Sequence, residues 1–285
     1  MTPAVNRRHF NGLLATSALT VGLPLRAATE LPLFDAHIHY SHDAWELVPP
    51  KQAVAILRRA GLRGALVSSS NDQGTQMLMA EAPDLIVPEL RPYRSRGEIS
   101  TWMRDDSVVG YLEARLAKYR YVGIGEFHLY DSANANGPVA AKLMRLAEQR
   151  ALVVLAHVDD IAIDLLMAHA PQAGKNLRLI WAHTGIGGAS VARVEALLQR
   201  YPQLMGELSY RPGLTCADGR LCPEWRNLLL KYPGRFLIGS DTWINERWSS
   251  YDALMQGYRV WLGGLPADVA RAVAWDNGAR LFGLK

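Results

Sequence analysis

From Leu31 to the C-terminus the chain alternates between two textures. Short apolar runs rich in Val, Ile and Leu are followed by longer segments in which apolar residues recur every three or four positions. Runs of the first kind read as strands buried on both faces, and segments of the second kind as amphipathic helices packed over them. Eight such runs occur in order: Leu33 to His37, Gly64 to Ser68, Leu85 to Glu89, Val122 to Glu126, Leu152 to His157, Leu179 to His183, Met205 to Ser209 and Phe236 to Asp241. Helical periods cover Lys51 to Ala60, Val108 to Tyr119, Val139 to Arg150, Ile161 to His169, Ser190 to Arg200, Tyr251 to Trp261 and Ala267 to Phe282. A strand-helix unit repeated in this way predicts an α/β fold, a single-domain (β/α)8 TIM barrel over residues 29–285. A doubly wound open sheet is the alternative. It would carry a Gly-rich phosphate turn after its first strand, where this chain has His37-Ile38-His39.

The first residues follow another pattern. Asn6-Arg7-Arg8-His9-Phe10 is followed by the mildly apolar run Gly12 to Leu25 and by Arg26-Ala27-Ala28. A basic start, an apolar middle and small residues near a cut are the order of an export signal. The paired arginines with Phe10 behind them resemble the twin-arginine type, read by a translocase that carries folded proteins. Residues 1–28 are therefore expected to be a twin-arginine-like export signal, with the translocase a partner during export and the mature protein periplasmic. A retained membrane anchor fits less well, since the apolar run is shorter than the roughly 20 residues a spanning helix needs. No stable membrane insertion of the mature protein is expected.

Removing that segment changes the charge picture. The whole chain has 31 Lys and Arg against 27 Asp and Glu; without Arg7, Arg8 and Arg26 the balance is 28 against 27. Nothing in the nearly neutral remainder suggests a nucleic-acid partner, and no basic stripe is interleaved with aromatics. The two cysteines, Cys216 and Cys222, lie six positions apart in a Pro/Gly-punctuated segment. In an oxidising compartment a local disulfide is one outcome and two free thiols the other.

The positions of the polar residues carry the chemistry. His37 and His39 close the first run, Glu126 the fourth, His157 the fifth, His183 the sixth and Asp241 the eighth. In a (β/α)8 barrel all C-terminal strand ends converge on one mouth, so residues scattered in sequence become neighbours. Positions i and i+2 on a strand face the same side, so His37 and His39 can serve one ion. Imidazole nitrogen and carboxylate oxygen are the donors that a catalytic zinc or similar divalent ion takes. Glu126 is either a ligand or a partner that orients a histidine. His128, two positions on, shares its face.

The ordered set, His-x-His, then Glu126, His157, His183 and Asp241, resembles the amidohydrolase superfamily. Phe34-Asp35-Ala36-His37-Ile38-His39, Trp181-Ala182-His183-Thr184-Gly185 and Ile238-Gly239-Ser240-Asp241-Thr242 are similar in particular to its amidohydrolase-2 branch. That branch includes aminocarboxymuconate-semialdehyde decarboxylase, related aromatic-acid decarboxylases and a pyrone-dicarboxylate lactonase. The resemblance implies His37, His39, His157 and Asp241 as metal ligands, and His183 as a further ligand or a group that steadies the substrate. Glu126 also resembles the strand-four glutamate of TatD-type deoxyribonucleases, which helps to hold a second metal, so one or two ions, zinc first among them, are implied. No lysine ends the fourth run, which argues against the carbamylated-lysine subtype.

The expected activity is hydrolysis of a small ester, lactone, amide or phosphoester by a metal-activated water. Asp241 is the expected proton acceptor, and His183 the group that polarises the substrate oxygen. Arg91 and Tyr93 after the third run, Arg211 after the seventh, Trp243 after the eighth, and His128 are the expected substrate contacts. The alternatives are a metal-dependent decarboxylase of a small unsaturated or aromatic acid, which needs a firm carboxylate clamp, and a non-catalytic barrel that binds a small molecule.

Overall fold

The computed structural model describes residues 31–285 apart from 171 and 173, so the expected export signal lies outside the described residues. Eight strands form one parallel sheet in chain order: β1 (Leu33–His39), β2 (Leu62–Ser68), β3 (Ile86–Leu90), β4 (Gly123–Leu129), β5 (Val153–Val158), β6 (Leu179–Trp181), β7 (Leu204–Glu207) and β8 (Phe236–Leu237). The ring closes where Asp35 of β1 bridges Ile238 just past β8, with the Ala36 amide donating to the Ile238 carbonyl at 2.9 Å. Asp35 fastens this seam. Its Oδ1 accepts from the amides of His37 and Ser240, each at 2.9 Å, and its Oδ2 from the Tyr251 hydroxyl at 2.6 Å.

One main helix follows each strand: α1 (Pro50–Arg59), α2 (Gln73–Glu81), α3 (Ser107–Lys118), α4 (Pro138–Gln149), α5 (Asp160–Ala168), α6 (Val191–Arg200), α7 (Pro223–Lys231) and α8 (Tyr251–Leu262). Local signals set their starts. Proline opens α1, α4 and α7, where its missing N–H costs no helical bond. Side-chain oxygens of Asp159 and Ser190 cap α5 and α6. The last expected helix, Ala267 to Phe282, is divided by a π-helical turn at Ala272–Asp276. No helix among the described residues is long and apolar enough to cross a membrane.

The core has two layers. One lies between strands and helices; the other fills the barrel with Phe34, Ala36, Leu66, Val87, Val153, Leu155, Ile180, Ala182, Met205, Leu237 and Trp275. Two strands change which parity faces inward. Phe34 and Ala36 point into the barrel, but the register of β1 shifts between Asp35 and Ile38, after which Ile38 packs outward and His37 and His39 face the axis. In β4 the register shifts between Ile124 and Phe127, so Ile124, Phe127 and Leu129 all pack outward while Glu126 and His128 turn inward. An irregularity of this kind re-aims a side chain, and here it places apolar packing below and polar chemistry above on the same strand. Gly125 makes the β4 turn possible: its φ is +147°, and a Cβ there would lie 2.3 Å from the Leu155 carbonyl oxygen.

Candidate metal centre

The strand ends bring His37, His39, Glu126, His157, His183 and Asp241 into one cluster. His37 Nε2 lies 3.1 Å from His39 Nε2, 3.2 Å from Glu126 Oε1 and 3.6 Å from Asp241 Oδ1. His39 Nε2 lies 3.0 Å from Glu126 Oε2 and 3.3 Å from Asp241 Oδ1. On the far side of Glu126, its Oε1 is 3.0 Å from His157 Nδ1, which is 3.2 Å from His183 Nε2. His183 Nε2 is 3.7 Å from Asp241 Oδ2, and His128 Nε2 is 3.5 Å from Glu126 Oε2. Neither His183 nor Asp241 extends a strand: both sit just past one with left-handed backbones, φ 56° and 46°.

Three rings are aimed from behind. His37 Nδ1 meets Glu207 Oε2 at 3.0 Å, His39 Nδ1 meets the Ser68 hydroxyl at 2.9 Å, and His183 Nδ1 meets the Ser209 carbonyl at 2.8 Å. A carboxylate or a carbonyl can only accept, so the Nδ1 protons of His37 and His183 are committed and their Nε2 lone pairs face the centre. Glu207 does more than hold one ring. Its Oε2 also accepts from the His183 amide at 3.0 Å and from the Ser209 hydroxyl at 2.9 Å.

Charge states follow from burial and these neighbours. Burial opposes ionisation of Glu126, but His128, His37 and His157 outweigh it and hold its carboxyl well below the usual range. Asp241 is likewise buried, yet His37 and His39 bring it down to about 2. Burial also opposes a charge on His37, but Glu126, Asp241 and Glu207 together raise its pKa well above the ordinary value. Burial lowers His128 and His183 and keeps both neutral. Ionised carboxylates and neutral imidazoles are the states a divalent ion requires of its ligands, and Glu126, Asp241, His128 and His183 are already in them; His37, raised by its carboxylates, has to release a proton as an ion binds.

The donor set fits such an ion. Three groups, His37 with His39 and Asp241, His37 with Glu126 and His183, and Glu126 with His128 and His157, each keep their ligand atoms within 4.8 Å of one another. The 3.1 Å between the first two imidazole nitrogens suits neighbouring donors on one ion with bonds of about 2.1 Å. Above the cluster opens a cavity of about 630 Å³, lined by His39, Glu126, His157, His183 and Asp241 at its floor.

The expected substrate contacts divide. Arg91, His128 and Trp243 line the cavity. Arg91, however, is bonded to Glu126 by both its Nη2, 3.1 Å from Oε2, and its Nε, 2.9 Å from the carbonyl. Tyr93 does not reach the cavity. It is fully buried beneath it, its hydroxyl accepting from the His128 amide at 2.7 Å and lying 3.1 Å from His128 Nδ1. Arg211 also turns away: its guanidinium donates to the carbonyls of Thr184 and Ala189 and stacks on Trp225. Its neighbours Tyr210 and Pro212 line the cavity in its place. Glu207 was not among the expected residues: it ends β7, but in the sequence it lies inside the run Met205 to Ser209.

A closed parallel (β/α)8 barrel with this cluster at its C-terminal mouth defines a class, the barrel enzymes that work through a metal held by histidines and carboxylates. Within that class the amidohydrolase family model matches residues 34–284, and the chain belongs to that family. It is an enzyme of the amidohydrolase superfamily, whose metal-dependent members are hydrolases and lyases. Solved structures share its fold. A probable 2-pyrone-4,6-dicarboxylic acid hydrolase from Acinetobacter baumannii, with citric acid bound, superposes with a TM-score of 0.61 at 16% identity, over 88% of this chain and 99% of that one. An amidohydrolase from Burkholderia multivorans with bound zinc gives 0.56 at 16% identity, over 89% and 99%. The 4-oxalomesaconate hydratase of Rhodopseudomonas palustris gives 0.53 at 12% identity, over 88% and 95%. No functionally curated protein matches the chain in sequence.

Proposed function

We propose that the protein is a metal-dependent hydrolase acting on a small ester, lactone, amide or phosphoester, with His37, His39, His157, His183, Glu126 and Asp241 around the ion. The observation that carries this reading is the convergence of His39, His157, His183 and two ionised carboxylates on the floor of one cavity, with His37 buried against them. Zinc is the first choice: the donors are nitrogen and oxygen, and the Burkholderia multivorans relative is described with zinc. A single ion is favoured because Arg91 already places a fixed positive charge 3.1 Å from Glu126 Oε2, where a second cation would share that carboxylate.

When bound, such an ion supplies a water of lowered pKa and a Lewis acid for the substrate oxygen. Asp241, held ionised at the cavity floor, takes the proton of the attacking water on its carboxylate and delivers it to the leaving group. For His183 the geometry favours one of its two expected roles. Its Nδ1 proton is committed to Ser209 and burial keeps the ring neutral, so Nε2 presents a lone pair. That is the state of a ligand, not of a donor to a substrate oxygen. Decarboxylation would require a carboxylate clamp, yet the arginines that line the cavity, Arg91 and Arg96, are bonded to Glu126 and Asp43.

Protein purified without chelator is expected to carry about one divalent ion per chain. It should cleave lactones and aryl esters, lose that turnover on chelation and regain it with zinc. Carbon dioxide release from hydroxybenzoates without cleavage of any ester or lactone would overturn the hydrolase reading in favour of a lyase. A metal-free protein of unchanged stability after chelation would point to a binding barrel. We also read residues 1–28 as the twin-arginine-like signal of a periplasmic enzyme. The Cys216–Cys222 disulfide, a bond that oxidising compartments maintain, supports that reading. A reporter fused behind residues 1–30 should be exported; retention in the cytoplasm would refute it.

A further inference from the structure

Tyr130, Tyr210 and Trp243 are 58%, 47% and 52% exposed, and all three line the cavity above the cluster. Exposed aromatics scattered singly over a surface need no explanation, but a set gathered at the mouth of one cavity marks a binding surface. They stand on different sides of the cluster. Tyr130, just past β4, has its ring 5.5 Å from that of His128 and 5.9 Å from that of His157. Tyr210, past β7, lies edge-on to His183 at 5.9 Å, and the Trp243 indole past β8 donates to its hydroxyl at 3.1 Å. Tyr210 is held in place: its backbone is left-handed at φ 50°, and Arg247 both donates to its hydroxyl and lies 3.6 Å over its ring. A bulky residue kept in that backbone conformation is over-determined by its surroundings, as at sites where a side chain must be presented in one direction.

The charge pattern is as informative as the rings. Of the arginines on the cavity wall, Arg91 is bonded to Glu126 and Arg96 to Asp43 at 2.6 Å. A carboxylate on the substrate, away from the reacting bond, would meet only guanidiniums that already hold a carboxylate. We propose that the preferred substrate is an uncharged, ring-bearing ester or lactone whose ring is gripped by Tyr130, Tyr210 and Trp243. This rests on the hydrolase reading for the bond cleaved but not for the ring bound. It also separates the chain from the 2-pyrone-4,6-dicarboxylic acid named for one structural relative. An aryl ring offers this rim its π face and a sugar ring the apolar C–H patch of its puckered face, and either can stack on an aromatic side chain.

The test measures binding, so that turnover is not needed. Calorimetric titration of the metal-loaded full chain compares dihydrocarbostyril, an aryl lactam, with gluconolactam and with dihydrocarbostyril carboxylic acid. The expected result is that at least one uncharged lactam binds, about tenfold or more tighter than the carboxylated one, and which lactam binds tells aryl from sugar. Trp243→Ala and Tyr130→Ala, both at exposed positions, should each weaken the uncharged lactam by about fivefold, the size of one ring-ring contact, with unchanged melting. Tighter binding of the carboxylate, wild-type affinity in both variants, or no binding of either uncharged lactam overturns the proposal. If the lactams bind as expected but no ester or lactone is cleaved, the rim stands and the hydrolase reading falls.

Discussion

His37 answers to two neighbourhoods through one ring, and the two can be separated by substitution. Its Nε2 belongs to the metal cluster, while its Nδ1 is held by Glu207, which also fixes the His183 amide and the Ser209 hydroxyl. Glu207→Gln keeps the shape but removes the charge that favours an Nδ1 proton. The expected outcome is a 10- to 100-fold loss of zinc affinity, the usual size for such outer partners, read by chelator competition. Unchanged affinity would show that Glu207 is a packing residue. Asp241 faces the other way, into the cavity, so its loss should strike turnover more than fold. Asp241→Asn is expected to lower kcat by about 10²- to 10⁴-fold with little change in melting temperature. A variant that retains wild-type kcat would remove Asp241 from its role as proton acceptor.

Strands and helices were legible from the chain to different degrees, and the differences have physical causes. The eight apolar runs all became strands because parallel strands buried on both faces need unbroken Val, Ile and Leu. Two of the eight main helices escaped the sequence reading. In α2, Gly74 and Thr75 interrupt the period because the chain there packs hard against the Tyr40 carbonyl; α7 hides behind the turn residues that precede it. Strand ends that bear histidines and carboxylates could be read from residue type and place. The parity changes in β1 and β4 could not, since they come from register with neighbouring strands. The same holds for Tyr93 and Arg211, whose partners lie across the fold. One connection was open in the sequence and is closed in the structure: Cys216 and Cys222 are joined, Cα atoms 5.1 Å apart, across a hairpin whose Thr215 and Leu221 form a bridge. That hairpin belongs to the loop that begins with Tyr210 and Pro212 at the cavity wall. Closing so short a loop contributes about 2 kcal/mol. The Cys216→Ser, Cys222→Ser double variant should melt about 5 °C lower or less and be cut faster by protease in this loop. KM should rise more than kcat falls. A variant equal to wild type in protease resistance and KM would show that the hairpin is held by its backbone bonds alone.

Between the apolar filling of the barrel and the metal floor sits Glu89, and its state ties the stability of the whole molecule to pH. It is 1% exposed on β3, and neither carboxylate oxygen has a hydrogen-bond partner. Gly123 leaves it room, since a Cβ there would stand 3.0 Å from Glu89 Oε1. Desolvation by burial raises its pKa from 4.5 to about 8, partly offset by His37 and reinforced by Glu126. A folded-state pKa above the unfolded one means that the native protein keeps a proton the unfolded chain releases. The stabilising difference is whole below 4.5 and is lost as pH rises to about 8. Asp35, raised to about 6 by burial, acts in the same direction over a lower window, from 3.8 to about 6. Asp241, lowered to about 2, opposes them only below 3.8. Between neutrality and pH 9, therefore, Glu89 is the buried carboxyl whose proton is at stake. Glu89→Gln removes that titration while leaving a polar side chain in the same space. In melts of the metal-free protein, the variant should match wild type to within about 1 kcal/mol at pH 6, where both side chains are neutral. It should melt higher than wild type at pH 9, where the wild-type carboxyl has lost its proton without gaining a partner. Parallel melting curves for the two proteins across this range would mean that Glu89 does not titrate there, and that some other group carries the proton beneath the metal floor.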